Sequence, residues 1–393
     1  MRAKAIVVLT FLLFSVSNGL AGTEKVLYTF TGGLDGGQPY QAGVIFDQSG
    51  NLYGVTQYGG AYGQGTVFEL TPSPDGTWTE TVLYNFMGAP DGAQPQAGLS
   101  IDGSGNLYGT ASIDGPGGCG TIFELSPSES GWTYNILHAF TGGVKDGCGP
   151  IADLFGVPSF IYATTWTGGC QGQGTVFMLS YKAECFENYN GLVPGGMGVC
   201  GHQPCGVTQF GGKYGAGNLF IPGVDYPRSF HTFKYSGKVG YNPWGDLAYS
   251  SSDNITYGTN SSGGVGNFGT VYQLVPGNTE NSWNVTVVHS FSGGDGEGPW
   301  AGVILDAAGN LYGTTQGGGP PGGNGQGTVF KLTPSRNKRN KVIWTLTTLY
   351  SFTGGADGGI VTSPVVLDSA GNVYGTTTSY GAYGQGVVYE VTP

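Results

Sequence analysis

The chain has 393 residues, of which 77 are glycine, 10% are charged and 13% are aromatic. Its formal charge of −11 repels nucleic acid and anionic membrane, and argues against both as partners. Glycine at this level, without a three-residue collagen period, must serve tight turns and close backbone approach.

Taken in chain order, residues 1–21 read as a Sec-type signal peptide. Arg2 and Lys4 give a basic start, residues 5–16 are apolar, and residues 19–21 form a small-residue cleavage site. Removing it leaves 12 basic residues against 25 acidic, a charge of −13. Gly22, not Cys, follows the site, which disfavours a lipid anchor. No second apolar run is long enough to span a membrane, and no hydrophobic tail ends the chain. The expectation is a monomer, secreted or held at the cell surface, with residues 22–393 as one domain.

The first unit of that domain begins with a short apolar strand at 42–47. A turn at 47–51 (Asp-Gln-Ser-Gly-Asn) follows, in which Gly50 supplies positive φ and Asp47 bonds back to the turn backbone. A strand at 52–56, a glycine-rich loop, a strand at 66–70 and a fourth strand at 78–86 complete it. The turn recurs at 102–106, 306–310 and 368–372, and Asn254 takes the glycine slot in the fifth unit.

A Gly-Thr-Val-Phe-like segment recurs at 65–68, 120–123, 174–177, 217–220, 269–272, 327–330 and 386–389. A repeat of this length is one supersecondary unit, stacked many times. Four short strands, apolar on both faces, describe a propeller blade. The last unit has only three, and its missing type, aromatic-x-Phe, appears at 26–30. The reading is all-β: a seven-bladed β-propeller closed by the N-terminal strand completing the last blade, which removes the exposed edge. The repeat is degenerate around 150–233. Residues 156–160 replace the Asp turn and residues 184–204 match no strand well, so six blades plus an insertion stays open.

The segments at 27–30, 35–36, 50–54 and 63–68, with their recurrences, resemble the tandem repeat called GloVer, of bacterial surface proteins described as choice-of-anchor tandem-repeat proteins. The resemblance implies export and a surface location in bacteria, and carries no catalytic residues over. A C-terminal anchor is the part of the pattern this chain lacks.

Six cysteines (Cys119, Cys148, Cys170, Cys185, Cys200 and Cys205) all fall where the repeat is weakest, and an even number in an exported chain reads as disulfides stapling that stretch. Half a zinc site at Cys200 and Cys205 is the lesser reading. His138, His231 and His289 occupy the slot of Tyr28, Tyr84 and Tyr350 and read as tyrosine substitutes; His202 has no repeat equivalent. Asp35, Asp91, Asp146, Asp295 and Asp357 each precede a glycine in the loop entering the innermost strand. They read either as turn chemistry or as a carboxylate ring around the channel, holding Ca²⁺ or a polyhydroxyl ligand. Trp244 and Trp300 stand in the slot of Gln41 and Gln96 at the channel mouth, beside Asp246 and Asp295, and suit stacking on a sugar ring, although packing on each other is the plainer reading. Trp78, Trp132, Trp283 and Trp344 recur at the start of strand four and read as blade packing.

No nucleophile–base motif, zinc-protease motif or P-loop occurs. The reading is an exported non-enzymatic binding or adhesion scaffold for an extracellular glycan or surface protein, with no required cofactor. The alternatives are a secreted carbohydrate-active hydrolase or lyase with its site at the channel mouth, and a surface protein that binds no small ligand.

Overall fold

The computed structural model describes residues 22–393, apart from residues 145, 159–160, 170–171, 180–183, 186–193, 201–202, 223–227, 236, 279–281 and 321–324. Residues 1–21, expected to be a signal peptide, and Cys170 and His202 therefore lie outside the described residues, as does the side chain of Cys185.

Seven antiparallel sheets follow one another along the chain, and no helix occurs among the described residues. The first blade runs from an innermost strand Ile45–Phe46 through Leu52–Thr56 and Thr66–Pro72 to an outermost strand Trp78–Asn85. The seventh has three strands of its own, Val366–Leu367, Val373–Thr377 and Val387–Thr392, and takes Thr23–Thr29 as its fourth. Thr23 pairs with Thr392 and Tyr28 with Val388, so the first strand of the domain closes the ring on the last. Seven sheets exclude the six-bladed alternative.

One aromatic contact recurs at the seams. At six seams the Phe after the outermost strand packs on the third strand of the next blade: Phe30 on Phe68, Phe86 on Phe123, Phe140 on Phe177, Phe233 on Tyr272, Phe291 on Phe330 and Phe352 on Tyr389. Ring centroids lie 4.9–5.4 Å apart, the offset or edge-on spacing that aromatic quadrupoles favour. Nearer the axis, threonines of second strands clasp the next blade. Thr164, Thr259, Thr314 and Thr376 donate to the carbonyls of Gly195, Ala301, Ser363 and Ala42. Trp132 and Trp344 pack on Tyr53 and Tyr257 of the preceding blades, as blade-packing residues should.

The expectation for residues 184–204 needs correction. They supply the outer strand Glu184–Cys185 of the third blade, the inner strand Pro194–Cys200 of the fourth and the start of Gln203–Thr208. Their strand signal is weak because Gly195, Gly196 and Gly198 interrupt it. Those glycines are needed there: a Cβ on any of them would collide with residues 244–247 of the fifth blade. Gly196 N donates to Trp244 O at 2.6 Å and Leu247 N to Met197 O at 3.1 Å, zipping the two inner strands together.

Two disulfides brace this arc. Cys119–Cys148 ties the second blade to the third, and Cys200–Cys205 closes the inner hairpin of the fourth. The second bond removes the zinc reading of that pair.

Candidate functional site

The five loop aspartates are held by their own loops. Asp35 accepts from Thr31 N at 2.8 Å and from Tyr28 OH at 3.1 Å. Asp91 accepts from Tyr84 OH and Met87 N, and Asp357 from Thr353 N and Tyr350 OH. Asp146 and Asp295 keep the same arrangement with histidine in the tyrosine slot, His138 at 3.3 Å and His289 at 2.9 Å. The histidines thus do a tyrosine's work. The following glycines complete the turn: Gly36 and Gly358 have positive φ, and a Cβ on either would overlap Thr56 or Thr377. None of the five aspartates lines a cavity at the channel. Asp295 is pushed up by burial, yet hydrogen bonds from His289 and Ser292 outweigh this and hold it below the ordinary carboxylate value. Of the two readings the sequence offered, these contacts fit turn chemistry, each aspartate capping its own loop. Among the described residues, no three His, Cys, Asp or Glu side chains converge to hold a metal ion.

The mouth of the channel is different. Trp244 and Trp300 do come together there, with centroids 5.8 Å apart. A third ring, Trp166, continues the series 5.9 Å from Trp244, and both contacts are tilted by 57°. The three indoles make a curved wall on one side of a cavity of about 590 Å³. Tyr40, Gln41, Gln96, Ser112, Ile151 and Gln209 line the remainder, with the Cys119–Cys148 bridge at its rim, and no charged side chain reaches it. Trp166 is 44% exposed, with ring surface left for a ligand. Gln96 Nε2 donates to Ser112 Oγ at 3.1 Å, fixing part of the polar side.

Trp244, Trp300, Gln41 and Ile151 also line a constriction of about 40 Å³ below. Its floor carries the one acidic pair on the axis, Asp153 from the third blade and Asp246 from the fifth. The two carboxyls are electrostatic neighbours; Asp153 Oδ1 accepts from Gly98 N at 2.5 Å, and Asp246 Oδ1 accepts from Met197 N at 3.0 Å. Both residues are half-buried and line the constriction. Burial pushes both carboxyls up, and at Asp246 the charge of Asp153 pushes further the same way. Both effects favour the protonated form of the pair over that of free carboxyls.

Of these residues, the repeat pattern pointed to Trp244, Trp300 and Asp246. It also contained the signal for the two it did not yield. Trp166 stands in the slot of Gln57, Ser112, Gln209 and Gln316, and Asp153 in that of Gly43, Gly98 and Gly302. A larger cavity of about 760 Å³ lies at the outer turns of the fifth and sixth blades, lined by turn residues such as Ser251, Ser252 and Ala307. Tyr249, Tyr257 and Trp344 line it too, but so do Asp253, Asp306 and Arg336, and it lies away from the channel mouth.

The model of the Gloeobacter/Verrucomicrobia repeat matches residues 12–196 and 201–393. No curated protein sequence matches the chain. Solved structures share the fold at low identity. An ancestral GH74 enzyme is 11% identical with a TM-score of 0.53, the match covering 90% of this chain and 48% of that one. A gluconolactonase from Xanthomonas campestris is 12% identical (TM-score 0.45, covering 94% and 89%). The calcium-binding protein regucalcin from Agrobacterium tumefaciens C58 is 14% identical (TM-score 0.43, covering 95% and 93%).

Proposed function

The chain belongs to the Gloeobacter/Verrucomicrobia repeat family, and from that premise we propose that it is an exported, non-enzymatic propeller that binds carbohydrate in the funnel at its channel mouth. The observation that carries this reading is the run Trp166–Trp244–Trp300, a continuous aromatic wall in a concave, uncharged cavity. Sugar rings present C–H faces that stack on indole, and glutamine and hydroxyl groups opposite supply hydrogen bonds that orient them. The two disulfides support an oxidising location and hence export. Among the described residues no helix is long and apolar enough to cross a membrane.

The hydrolase reading is weaker on geometric grounds. Glycoside hydrolysis by two carboxyls calls for a separation of roughly 5–5.5 Å for retention or 6.5–9.5 Å for inversion. Asp153 and Asp246 are engaged by the backbone N–H groups of Gly98 and Met197, and Asp295 is committed to His289 and Ser292, so no pair of free carboxyls is presented to the funnel. Glycan-array binding by the mature chain, followed by titration of the best ligand, tests the proposal. Trp244→Ala with Trp300→Ala is expected to weaken binding at least about tenfold. Wild-type chain that binds no glycan, or release of reducing ends that Asp246→Asn abolishes, overturns it.

A further inference from the structure

The innermost residue of each blade occupies one slot around the axis. It is glycine in four blades (Gly43, Gly98, Gly196 and Gly302), proline in the seventh (Pro364), and aspartate only in the third and fifth. Two acidic side chains thus enter the axis where the fold is otherwise content with none, and they meet at the foot of the tryptophan wall. The neighbouring glycines leave the room. A Cβ on Gly196 would overlap the Asp246 carboxylate, and one on Gly98 would lie 3.1 Å from that of Asp153.

Among the described residues, nothing basic lines the constriction to answer this charge. Around the pair the blades contribute glutamine, threonine, tryptophan, isoleucine, alanine, glycine and proline, and no other titratable group. A half-buried anionic pair with no cation beside it favours an arriving one. Indole faces attract cations as well, through the negative face of the ring. The wall and the floor therefore select in the same sense.

Resting on the carbohydrate reading above, we propose that the funnel selects sugars bearing a free amine, with the tryptophans stacking the rings and Asp153 and Asp246 receiving the ammonium group. Trp244 and Trp300 line both the funnel and the constriction, so a ring stacked on them directs its substituent to the carboxyls. The free pair is taken to carry one proton, which leaves on binding: a singly protonated pair and R–NH₃⁺ give a doubly ionised pair, bound R–NH₃⁺ and one H⁺ in solution. Falling pH therefore weakens binding, because protons compete for the pair.

The test is calorimetric titration of the mature chain near pH 6.5 with the trisaccharides of glucosamine, N-acetylglucosamine and glucose, each in two buffers of different ionisation enthalpy. The glucosamine trisaccharide is expected to bind at least about tenfold more tightly than the other two and to release about one proton. Asp153→Asn with Asp246→Asn should reduce that preference to about twofold or less, and Trp244→Ala should weaken all three sugars. Asp246→Gly, which installs the residue found in this slot of four other blades, serves as the second variant should the double asparagine change fail to fold. Equal binding of the amine and its acetylated form, a preference that survives both carboxyl variants, or no proton release overturns amine selection while leaving carbohydrate binding in place. Failure of all three sugars to bind, with glycan-array binding also absent, overturns both.

Discussion

The first, second, sixth and seventh blades match one another nearly slot for slot, whereas the arc from the third to the fifth departs from the pattern at the axis. In the regular arc the side chains are spent on closure. Phe30 meets Phe68, Phe86 meets Phe123, and aspartates cap their own loops. The departing arc supplies Trp166, Trp244, Asp153 and Asp246 to one funnel, and both disulfides brace it. Repetition here serves stability, and the departures from it carry the chemistry.

Substitutions on the two sides of that contrast should behave differently. The largest effect belongs to the regular arc. Phe68→Ala removes a fully buried ring at the closing seam and should cost about 3–5 kcal/mol, measured by denaturant unfolding, with sugar binding unchanged in the fraction that folds. A loss below about 1 kcal/mol would break the assignment of that seam as the clasp.

Next come the cross-links of the departing arc. Cys119→Ser with Cys148→Ser opens a loop spanning 29 residues and should cost about 3–4 kcal/mol by loop entropy. It should also weaken sugar binding, because the bridge forms the funnel rim. Cys200→Ser with Cys205→Ser spans only 5 residues and should cost about 2 kcal/mol. Equal losses for the two pairs would remove loop length as the cause.

The smallest effect concerns two glutamates that flank the closing blade. Glu24 and Glu80 are raised to about 7, first by burial and then by Asp357 and Asp35 respectively. Each also has a buried carboxyl oxygen without a hydrogen-bond partner. Between the ordinary value of 4.5 and about 7, the folded chain keeps protons that the unfolded chain has released. The stability they contribute is full below that window and declines as pH rises through it. Solvent screening of these half-buried groups limits the effect to about 1 kcal/mol each. Glu24→Gln with Glu80→Gln should flatten thermal stability between pH 5 and about 7, and an unchanged profile would assign the slope elsewhere. Asp295 works in the opposite sense: its contribution is present above its ordinary value and fades as pH falls.

Much of this was legible before any coordinates. The Asp47 turn bonds back as its spacing requires, Asp47 Oδ1 accepting from Ser49 N and Asn51 N at 2.8 and 2.9 Å. The basic run from Arg336 to Lys341, a charge cluster suited to a solvated turn, is an exposed hairpin tip. The inner strand Pro194–Cys200 was not legible, because glycines chosen for contact with the fifth blade erase the alternation that marks a strand. Asp153 was legible only as an aspartate in a glycine slot, a signal that gains meaning once its partner is known.

The sequence by itself determined the blade and the closing strand, because hydrogen-bonded turns and period-two strands are set by residues a few positions apart, while the structure decided seven blades over six. Which carboxylates face the axis was decided by the tertiary structure alone. Asp35 and Asp246 both stand near an inner strand, yet one is captured by Thr31 four residues away, and the other meets Asp153 across the channel. Local hydrogen bonds can be read from spacing; an encounter between residues 153 and 246 exists only once the ring has closed.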